Sequence, residues 1–376
     1  MNKGIILTLA AVAVIGMLAL YALRQGPALV LKPPPQQRIA FISDRSGNPD
    51  IWTMKTDGSD ARQVTNDSAD DQIPSWSPDA KQLVSVCDRL NQTYQVFISA
   101  WDGRYVRCLT SSEATKDVPT WSTDGREITF ISGGKVCGIK SSGGREDQYL
   151  PVGMPSTTMV ESVRFAFGAW SHGNQYLFYV RETDRGKEVY AADKDALASA
   201  GEEDATQEAK SAGEAKPVGV GITMARNLSV AVAPRSARIA VSFIDRVGRN
   251  GILIGDLGAV TTQDVYLFPD NKHSAGKLAW SPDEKRIAYE LWTTEDNTQN
   301  TPLGIYTIKA TGGKPQLIMK GDAREPTWSP DGRQLACTFM SANDKRDIWR
   351  VNADGTGAIN LTKGRGDSYN PAWSPR

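Results

Sequence analysis

The stretch that decides the fold is PTWSPDGRQLACTFMSANDKRDIWRVNADGTGAINLT, residues 326–362. It contains four short apolar runs, PTW, QLACTF, DIWRV and INLT, which are separated by turn residues. Short runs rich in β-branched and aromatic residues between turns are typical of β-strands. Asp354-Gly355 separates the third run from the fourth, and such pairs form tight hairpins because glycine tolerates a positive φ. The stretch therefore predicts four antiparallel strands in one unit.

The same unit recurs along the chain from residue 38 onward. Its first run ends at one position per copy, and these positions are Trp76, Trp121, Trp170, Val232, Trp280, Trp328 and Trp373. Four-stranded units of about 45–50 residues each are the signature of β-propeller blades. Because a residue that recurs in the copies serves the repeat, we predict that the tryptophans pack between neighbouring blades rather than bind a ligand.

The two ends of this array complement each other. The copy that begins at Arg38 lacks a first run, whereas residues 370–374 form a first run without successors. Pairing of the two ends would complete a seventh blade and leave no exposed sheet edge. We therefore predict an all-β, seven-bladed β-propeller over residues 38–376, with four-stranded blades and paired N- and C-terminal strands. Residues 193–216, rich in Ala and Glu, are predicted to be a flexible insertion in blade four.

The N-terminus precedes the repeats and has a different composition. Residues 4–23 are uncharged and mostly apolar, and a helix of this length spans the hydrocarbon core of a bilayer. We predict that residues 1–24 form an uncleaved transmembrane signal anchor, and the alternative is a cleaved signal peptide. Residues 25–37, which include a run of three prolines, are predicted to be a stiff linker.

The composition argues against several classes of function. Acidic and basic residues balance at 43 each, so the overall charge does not favour nucleic acid or an anionic membrane surface as partner. The chain has two histidines, His172 and His273, and four cysteines without metal-type spacing. It contains no G-x-S-x-G nucleophile motif. We therefore predict no catalytic residue, no metal site and no cofactor.

The loops indicate where a partner could bind. Hairpins between the first and second runs, and between the third and fourth, are short and uniform and should form one plain face. Loops between the second and third runs, and between one copy and the next, differ among copies and should form the opposite, variable face. We predict that this face binds a protein partner through Asp71, Asp117, Arg164, Arg226, His273, Arg324, Arg365 and Asp367.

The pattern P-x-W-S-P-D-G followed by D-I-W, D-G and L-T closely resembles the TolB-type, WD40-like β-propeller repeat. It is seen best in residues 326–355 and 38–65. The resemblance implies a disc of blades around a central channel, export across the bacterial inner membrane and action through protein contacts. TolB itself resembles a six-bladed propeller behind an N-terminal α/β domain. This chain has seven copies and passes from the linker directly into blades, so we expect the fold and the broad role to be shared.

Together these patterns predict a membrane-tethered, extracytoplasmic scaffold that binds a protein of the cell envelope and has no catalytic activity. It would lie at the bacterial inner membrane, with the propeller on the periplasmic or extracellular side. Two alternatives stay open. One is a carbohydrate-binding or polysaccharide-lyase-like propeller with an oligosaccharide ligand, which aromatic residues beside a carboxylate pair at the channel mouth would favour. The other is a soluble periplasmic TolB-like component of an envelope complex.

Overall fold

The structure, a computed structural model, describes residues 32–34, 36–90, 92–151, 168–183, 186–193, 216–217, 229–244, 248–257, 261–295, 299–341 and 344–375. In these ranges it contains 28 β-strands and one short 3-10 turn, His172–Asn174, and no α-helix. The predicted anchor, residues 1–24, lies outside the described residues, as do residues 194–215 of the predicted insertion.

The strands follow the apolar runs recognised in the sequence. In chain order they are β1 (Arg38–Ser43), β2 (Asp50–Lys55), β3 (Arg62–Gln63), β4 (Asp71–Trp76), β5 (Gln82–Leu90), β6 (Thr93–Ala100), β7 (Val106–Cys108), β8 (Lys116–Trp121), β9 (Glu127–Ser132), β10 (Lys135–Lys140), β11 (Asp147–Pro151), β12 (Gly168–Trp170), β13 (Tyr176–Thr183), β14 (Gly186–Asp193), β15 (Lys216–Pro217), β16 (Val230–Val232), β17 (Arg238–Ile244), β18 (Asn250–Asp256), β19 (Thr261–Leu267), β20 (His273–Trp280), β21 (Arg286–Glu295), β22 (Gln299–Lys309), β23 (Gln316–Lys320), β24 (Ala323–Trp328), β25 (Gln334–Met340), β26 (Arg346–Asn352), β27 (Ile359–Asn360) and β28 (Ser368–Trp373).

Within the described ranges these strands form seven four-stranded antiparallel sheets, the blades. Blades 2 to 7 each use four consecutive strands: β4–β7, β8–β11, β12–β15, β16–β19, β20–β23 and β24–β27. Blade 1 has the order β28-β1-β2-β3 and so combines both ends of the array. The first strands of neighbouring blades, such as β24 and β28, lie against one another, which places them around the central channel. The predicted all-β, seven-bladed propeller is confirmed.

Closure of the ring depends on pairing between β1 and β28. Ile39 lies opposite Trp373, and Ser43 lies opposite Ser368. One residue beyond the strand, the Ser374 backbone N–H donates to the Arg38 carbonyl oxygen at 2.8 Å, and the Ser374 hydroxyl accepts the Arg38 N–H at 3.0 Å. The predicted pairing of the N- and C-terminal strands is confirmed, and every residue of β1 is buried.

The six repeat tryptophans lie between blades and are 5–8% exposed. Several of them donate from the indole N–H to a backbone carbonyl oxygen of the preceding blade. The pairs are Trp76 to Ala372 (3.0 Å), Trp121 to Ser75 (3.1 Å), Trp280 to Ala231 (2.9 Å) and Trp328 to Ala279 (3.1 Å). In each pair the acceptor residue directly precedes the position in its own blade that is equivalent to the donor tryptophan. These indoles therefore join blades by both packing and hydrogen bonding.

Turns of the plain face repeat one hydrogen-bonding pattern. In blade 7 the Ser329 hydroxyl donates to Asp331 Oδ1 at 2.7 Å and accepts the Gln334 backbone N–H at 2.9 Å. Gly332, within this turn, has a φ of 70°, a conformation that glycine adopts without steric cost. Blades 2, 3 and 6 contain the same serine–aspartate pair. The first turn of the plain face therefore has the same structure in these four blades.

Candidate functional site on the variable face

The described candidates lie at or just before the beginning of the first strands, on the side of the variable face. They are Asp71 in β4, Asp117 in β8, His273 in β20, Arg324 in β24, and Arg365 and Asp367 directly before β28. Arg164 and Arg226 lie outside the described residues. The ring brings Arg324, Arg365 and Asp367 onto adjacent blades, 7 and 1. Asp71, Asp117 and His273 lie in other blades, where they have partners of their own.

Asp71 differs from the prediction because its side chain is fully buried. Arg89 Nη2 lies 3.1 Å from Asp71 Oδ1 and 2.8 Å from Asp67 Oδ2. Burial raises the pKa of Asp71 to about 7, although Arg89 opposes the rise. Asp67, Asp71 and Cys87 are close enough to share a cation. The Arg89 guanidinium already supplies positive charge there, so the cluster is an internal ion-pair network and not a surface for a partner.

Asp117 and His273 have local contacts. Asp117 Oδ1 accepts the Val118 backbone N–H at 2.8 Å. The His273 ring nitrogen Nδ1 lies 2.8 Å from Asp270 Oδ1, and both side chains are partly exposed. Their assignment to a binding surface stays a prediction.

A backbone bulge recurs in the strands that line the channel. Ile73, Val118, Glu325 and Asn370 have φ values between 47° and 57°, in the left-handed region that side chains rarely adopt. Each residue lies three positions before the tryptophan of its copy, where pairing with the second strand shifts register. Such a bulge turns backbone N–H groups out of the ladder, so they need other acceptors.

Two carboxylates accept these N–H groups in blades 6, 7 and 1. Glu290 Oε1 accepts the Glu325 N–H at 2.6 Å, and Glu325 Oε2 accepts the Asn370 N–H at 2.7 Å. Lys277 Nζ donates to Asn370 Oδ1 at 3.3 Å and so joins blade 6 to blade 1. These four residues, which we call the channel cluster, connect the closing strand β28 to the two blades before it.

Glu290 is the most deeply buried member of the channel cluster. Its Oε2 accepts the Trp292 indole N–H at 3.0 Å and the Lys277 backbone N–H at 3.2 Å. Burial raises the pKa of Glu290, and these hydrogen bonds oppose the rise. Gly276 provides the space, because a Cβ at this position would overlap both the Glu290 carboxylate and the Trp292 indole. Both oxygens of Glu290 are therefore engaged by the fold.

Two arginine–aromatic pairs lie on the same blades at the variable face. Arg324 Cζ is 5.0 Å from the Trp292 ring centroid, and Arg346 Cζ is 3.8 Å from the Tyr369 ring centroid. Arg324 Nε lies 2.5 Å from Asp322 Oδ1, and this ion pair is partly exposed. Asp367, which forms an ion pair with Arg346, completes this group. We call the six residues the mouth surface: Trp292, Asp322, Arg324, Arg346, Asp367 and Tyr369. The surface offers aromatic rings and charges of both signs within reach of one partner.

Asp367 also has a structural role. Arg346 Nε donates to Asp367 Oδ2 at 2.9 Å, and the Arg346 backbone N–H donates to Asp367 Oδ1 at 2.8 Å. The Asp367 N–H donates to Asp44 Oδ1 at 2.6 Å. Asp367 therefore holds the loop before β28 against blades 7 and 1. A substitution at Asp367 would disturb ring closure as well as the surface.

Sequence reasoning missed Trp292, Arg346 and Tyr369. Tyr369 lies four positions before Trp373, as Asp117 and Arg324 do before their own tryptophans. Strict alignment of the copies could therefore have identified Tyr369. Trp292 lies in β21, beyond the shared apolar run, and no repeat signal marks its position.

The match to known families agrees with the repeat architecture. The sequence model of the TolB beta propeller domain matches residues 31–200. The chain carries TolB-type β-propeller repeats. Blades that follow residue 200 continue the same four-stranded pattern in the structure.

Solved structures share the fold of this TolB-type propeller. TolB from Acinetobacter baumannii has a TM-score of 0.54 and 16% identity, over 90% of this chain and 67% of that chain. Oligogalacturonate lyase from Vibrio parahaemolyticus has a TM-score of 0.59 and 11% identity, over 84% and 86% of the two chains. An uncharacterized peptidase, YuxL of Bacillus subtilis (strain 168), is 30% identical over 98 residues, which is 26% of this chain and 15% of that protein. The chain thus spans a small part of this curated relative, and the structural likenesses concern the fold alone.

Proposed function

We propose that this TolB-type propeller is a non-catalytic binding module whose partner is a protein that docks on the mouth surface. The observation that carries the proposal is the pair of arginine–aromatic contacts, Arg324 over Trp292 and Arg346 over Tyr369, side by side on adjacent blades. Tryptophan, tyrosine and arginine are the residues that contribute most to binding energy in protein interfaces. A rigid ring that presents such residues from adjacent strands binds without a large ordering cost.

The substitution Arg324→Glu should weaken capture of the partner at least about tenfold. It removes the cation over the Trp292 ring and places a second negative charge beside Asp322. The measurement is cross-linking in intact cells, followed by affinity capture of the full-length protein and quantification of the cross-linked product.

The matched control is Arg104→Glu. Arg104 forms an ion pair with Asp102, two residues before it, in a plain-face hairpin, so the two substitutions make the same local change on opposite faces. Capture by the Arg104→Glu protein should equal that of the unaltered chain. Equal loss in both variants, or no loss in either, would contradict docking on the mouth surface.

An oligosaccharide is the second candidate partner. The Trp292 indole N–H donates to Glu290 Oε2 at 3.0 Å, and an aromatic residue beside a carboxylate is the feature that favours an oligosaccharide. The carboxylates of Glu290 and Glu325 both accept backbone N–H groups, however, which favours a structural role over chemistry. The captured product distinguishes the candidates, since a protein partner adds a protease-sensitive polypeptide and a glycan does not.

We also propose that residues 1–24 hold the propeller on the outer side of the bacterial inner membrane. The uncharged, apolar composition of residues 4–23 supports this anchor. Across the ranges that the structure describes, no helix is long and apolar enough to cross a membrane, and residues 4–23 lie outside those ranges. Protease added to spheroplasts should digest the propeller, and an alkaline wash should leave the intact protein in the membrane pellet. A mature N-terminus beyond residue 24 would instead support the soluble periplasmic alternative.

A further inference from the structure

A cavity of about 540 Å³ opens between blades 5 and 6 at the plain face, away from the mouth surface. Its walls include Arg238 and Ile254 from blade 5 and Glu284, Lys309 and Ala310 from blade 6. The volume is within the range of small-molecule sites, about 300–1,000 Å³. The lining combines two apolar side chains, Ile254 and Ala310, with charged side chains of both signs, which are Arg238, Asp256, Asp283, Glu284, Lys285, Arg286 and Lys309.

The equivalent space between blades 1 and 2 is occupied by the protein itself. Trp101 follows the third strand of blade 2, as Ala310 follows the third strand of blade 6. The Trp101 N–H donates to the Lys81 carbonyl oxygen at 3.2 Å, and the Ala310 N–H donates to the Lys285 carbonyl oxygen at 2.8 Å. The two residues therefore have the same backbone position in their blades.

The Trp101 indole shows which group this space accepts. It is 6% exposed, and two guanidinium groups lie against its ring. Arg38 Cζ is 5.1 Å and Arg62 Cζ is 5.4 Å from the ring centroid. Such cation–π contacts strengthen when the ring is withdrawn from water. The space between blades 1 and 2 thus fits a planar aromatic group.

Two substitutions leave this space open between blades 5 and 6. Ala310 provides a methyl group where blade 2 has an indole. Arg238, which begins the second strand as Arg38 does, is held at the wall by Glu284, with Nη2 2.6 Å from Oε2. Glu284 lies in the turn position that Ala80 has in blade 2, and its φ of 56° matches that of Ala80. The backbone position and the first arginine are therefore retained, whereas a methyl group replaces the indole and the Glu284 carboxylate replaces the Ala80 methyl group.

We propose that the cavity between blades 5 and 6 binds a planar aromatic group of indole size, in the place that the Trp101 indole takes between blades 1 and 2. Arg238 presents its cation to the ring, and Ile254 and Ala310 supply the apolar contacts. The ring can belong to a free aromatic molecule or to a tryptophan side chain of a partner.

The test uses free indole as the probe and the full chain as the receptor, with binding measured by titration calorimetry. A ligand of this size in a preformed site should bind with a Kd of about 0.1–1 mM. The substitution Ala310→Trp should weaken binding at least about tenfold, because the new side chain fills the cavity. Ala310→Ser, which keeps the cavity open, should change the Kd by less than about twofold.

A second variant tests the equivalence of the two spaces. Trp101→Ala should create another cavity and raise the stoichiometry of indole binding from one to two, since apolar cavities of this kind take up aromatic molecules. A second probe, N-acetyl-tryptophanamide, represents the tryptophan side chain of a partner protein. If it binds as tightly as indole, the natural ligand is a protein side chain. If only indole binds, the natural ligand is a free aromatic molecule. Failure of both probes to bind, or binding that survives Ala310→Trp, would overturn the proposal.

Discussion

A chain shortened by deletion of residues 370–376 is expected to lose most of its stability and to form oligomers. The deletion removes Trp373 and the Ser374 contacts to Arg38, and it uncovers the edge of β1, which is buried throughout. Loss of a buried tryptophan side chain costs about 3–5 kcal/mol. Each lost backbone hydrogen bond adds about 1 kcal/mol, against a typical total stability of about 5–15 kcal/mol. An open strand edge also pairs readily with a second molecule.

Chemical denaturation measures the loss of stability. Light scattering of the protein as it elutes from a size-exclusion column measures the formation of oligomers. Deletion of residues 375–376 alone is the matched control, because it leaves Ser374 and all of β28 in place. The control should unfold at the same denaturant concentration as the full chain. If the longer deletion also unfolds there and stays monomeric, the closing strand does not hold the ring together.

Replacement of Trp328 by alanine is expected to lower the free energy of unfolding by about 3–5 kcal/mol. Trp328 is 6% exposed between blades 6 and 7, and the Arg286 guanidinium lies 4.7 Å from its ring centroid. Its indole N–H donates to the Ala279 carbonyl oxygen at 3.1 Å. The alanine variant loses the packing, the cation–π contact and the hydrogen bond together. Urea unfolding of the purified variant measures the loss.

Trp328→Phe separates packing from hydrogen bonding. A phenyl ring retains most of the buried surface but cannot donate to Ala279, so the expected cost is about 1–2 kcal/mol. A loss below about 1 kcal/mol for Trp328→Ala would show that the space between blades collapses without strain. That result would contradict the role of the repeat tryptophans as links between blades.

The fold could be predicted because its information is periodic. Four blades share the turn seen around Ser329 and Asp331, and six copies have the tryptophan before it, so weak local signals accumulate over the chain. The closing pair was predictable for the same reason, since the missing first run before Arg38 and the surplus run at residues 370–374 stand out against the period. The predicted anchor, residues 1–24, lies outside the described residues and stays a prediction.

The candidate site could be predicted only in part, because the contacts that form the mouth surface do not recur from blade to blade. Tyr369 and Arg346 meet only when the ring has closed. Asp71 has the sequence context of a loop carboxylate, yet it is fully buried with Arg89 beside it. Burial of a charged residue depends on whether a partner reaches it from another strand, which spacing along the chain does not reveal.

The join between the first and last strands has a consequence for the newly made chain. Arg38 and Ser374 are 336 residues apart, so blade 1 receives its innermost strand only after the other six blades have been synthesised. At about 5–20 residues per second, translation leaves β1 without its neighbour for some tens of seconds. Contacts of such long range also form slowly once the chain is complete. The nascent chain thus passes through a prolonged stage in which the edge of β1 is unpaired, and we expect it to depend on a chaperone until β28 has been synthesised.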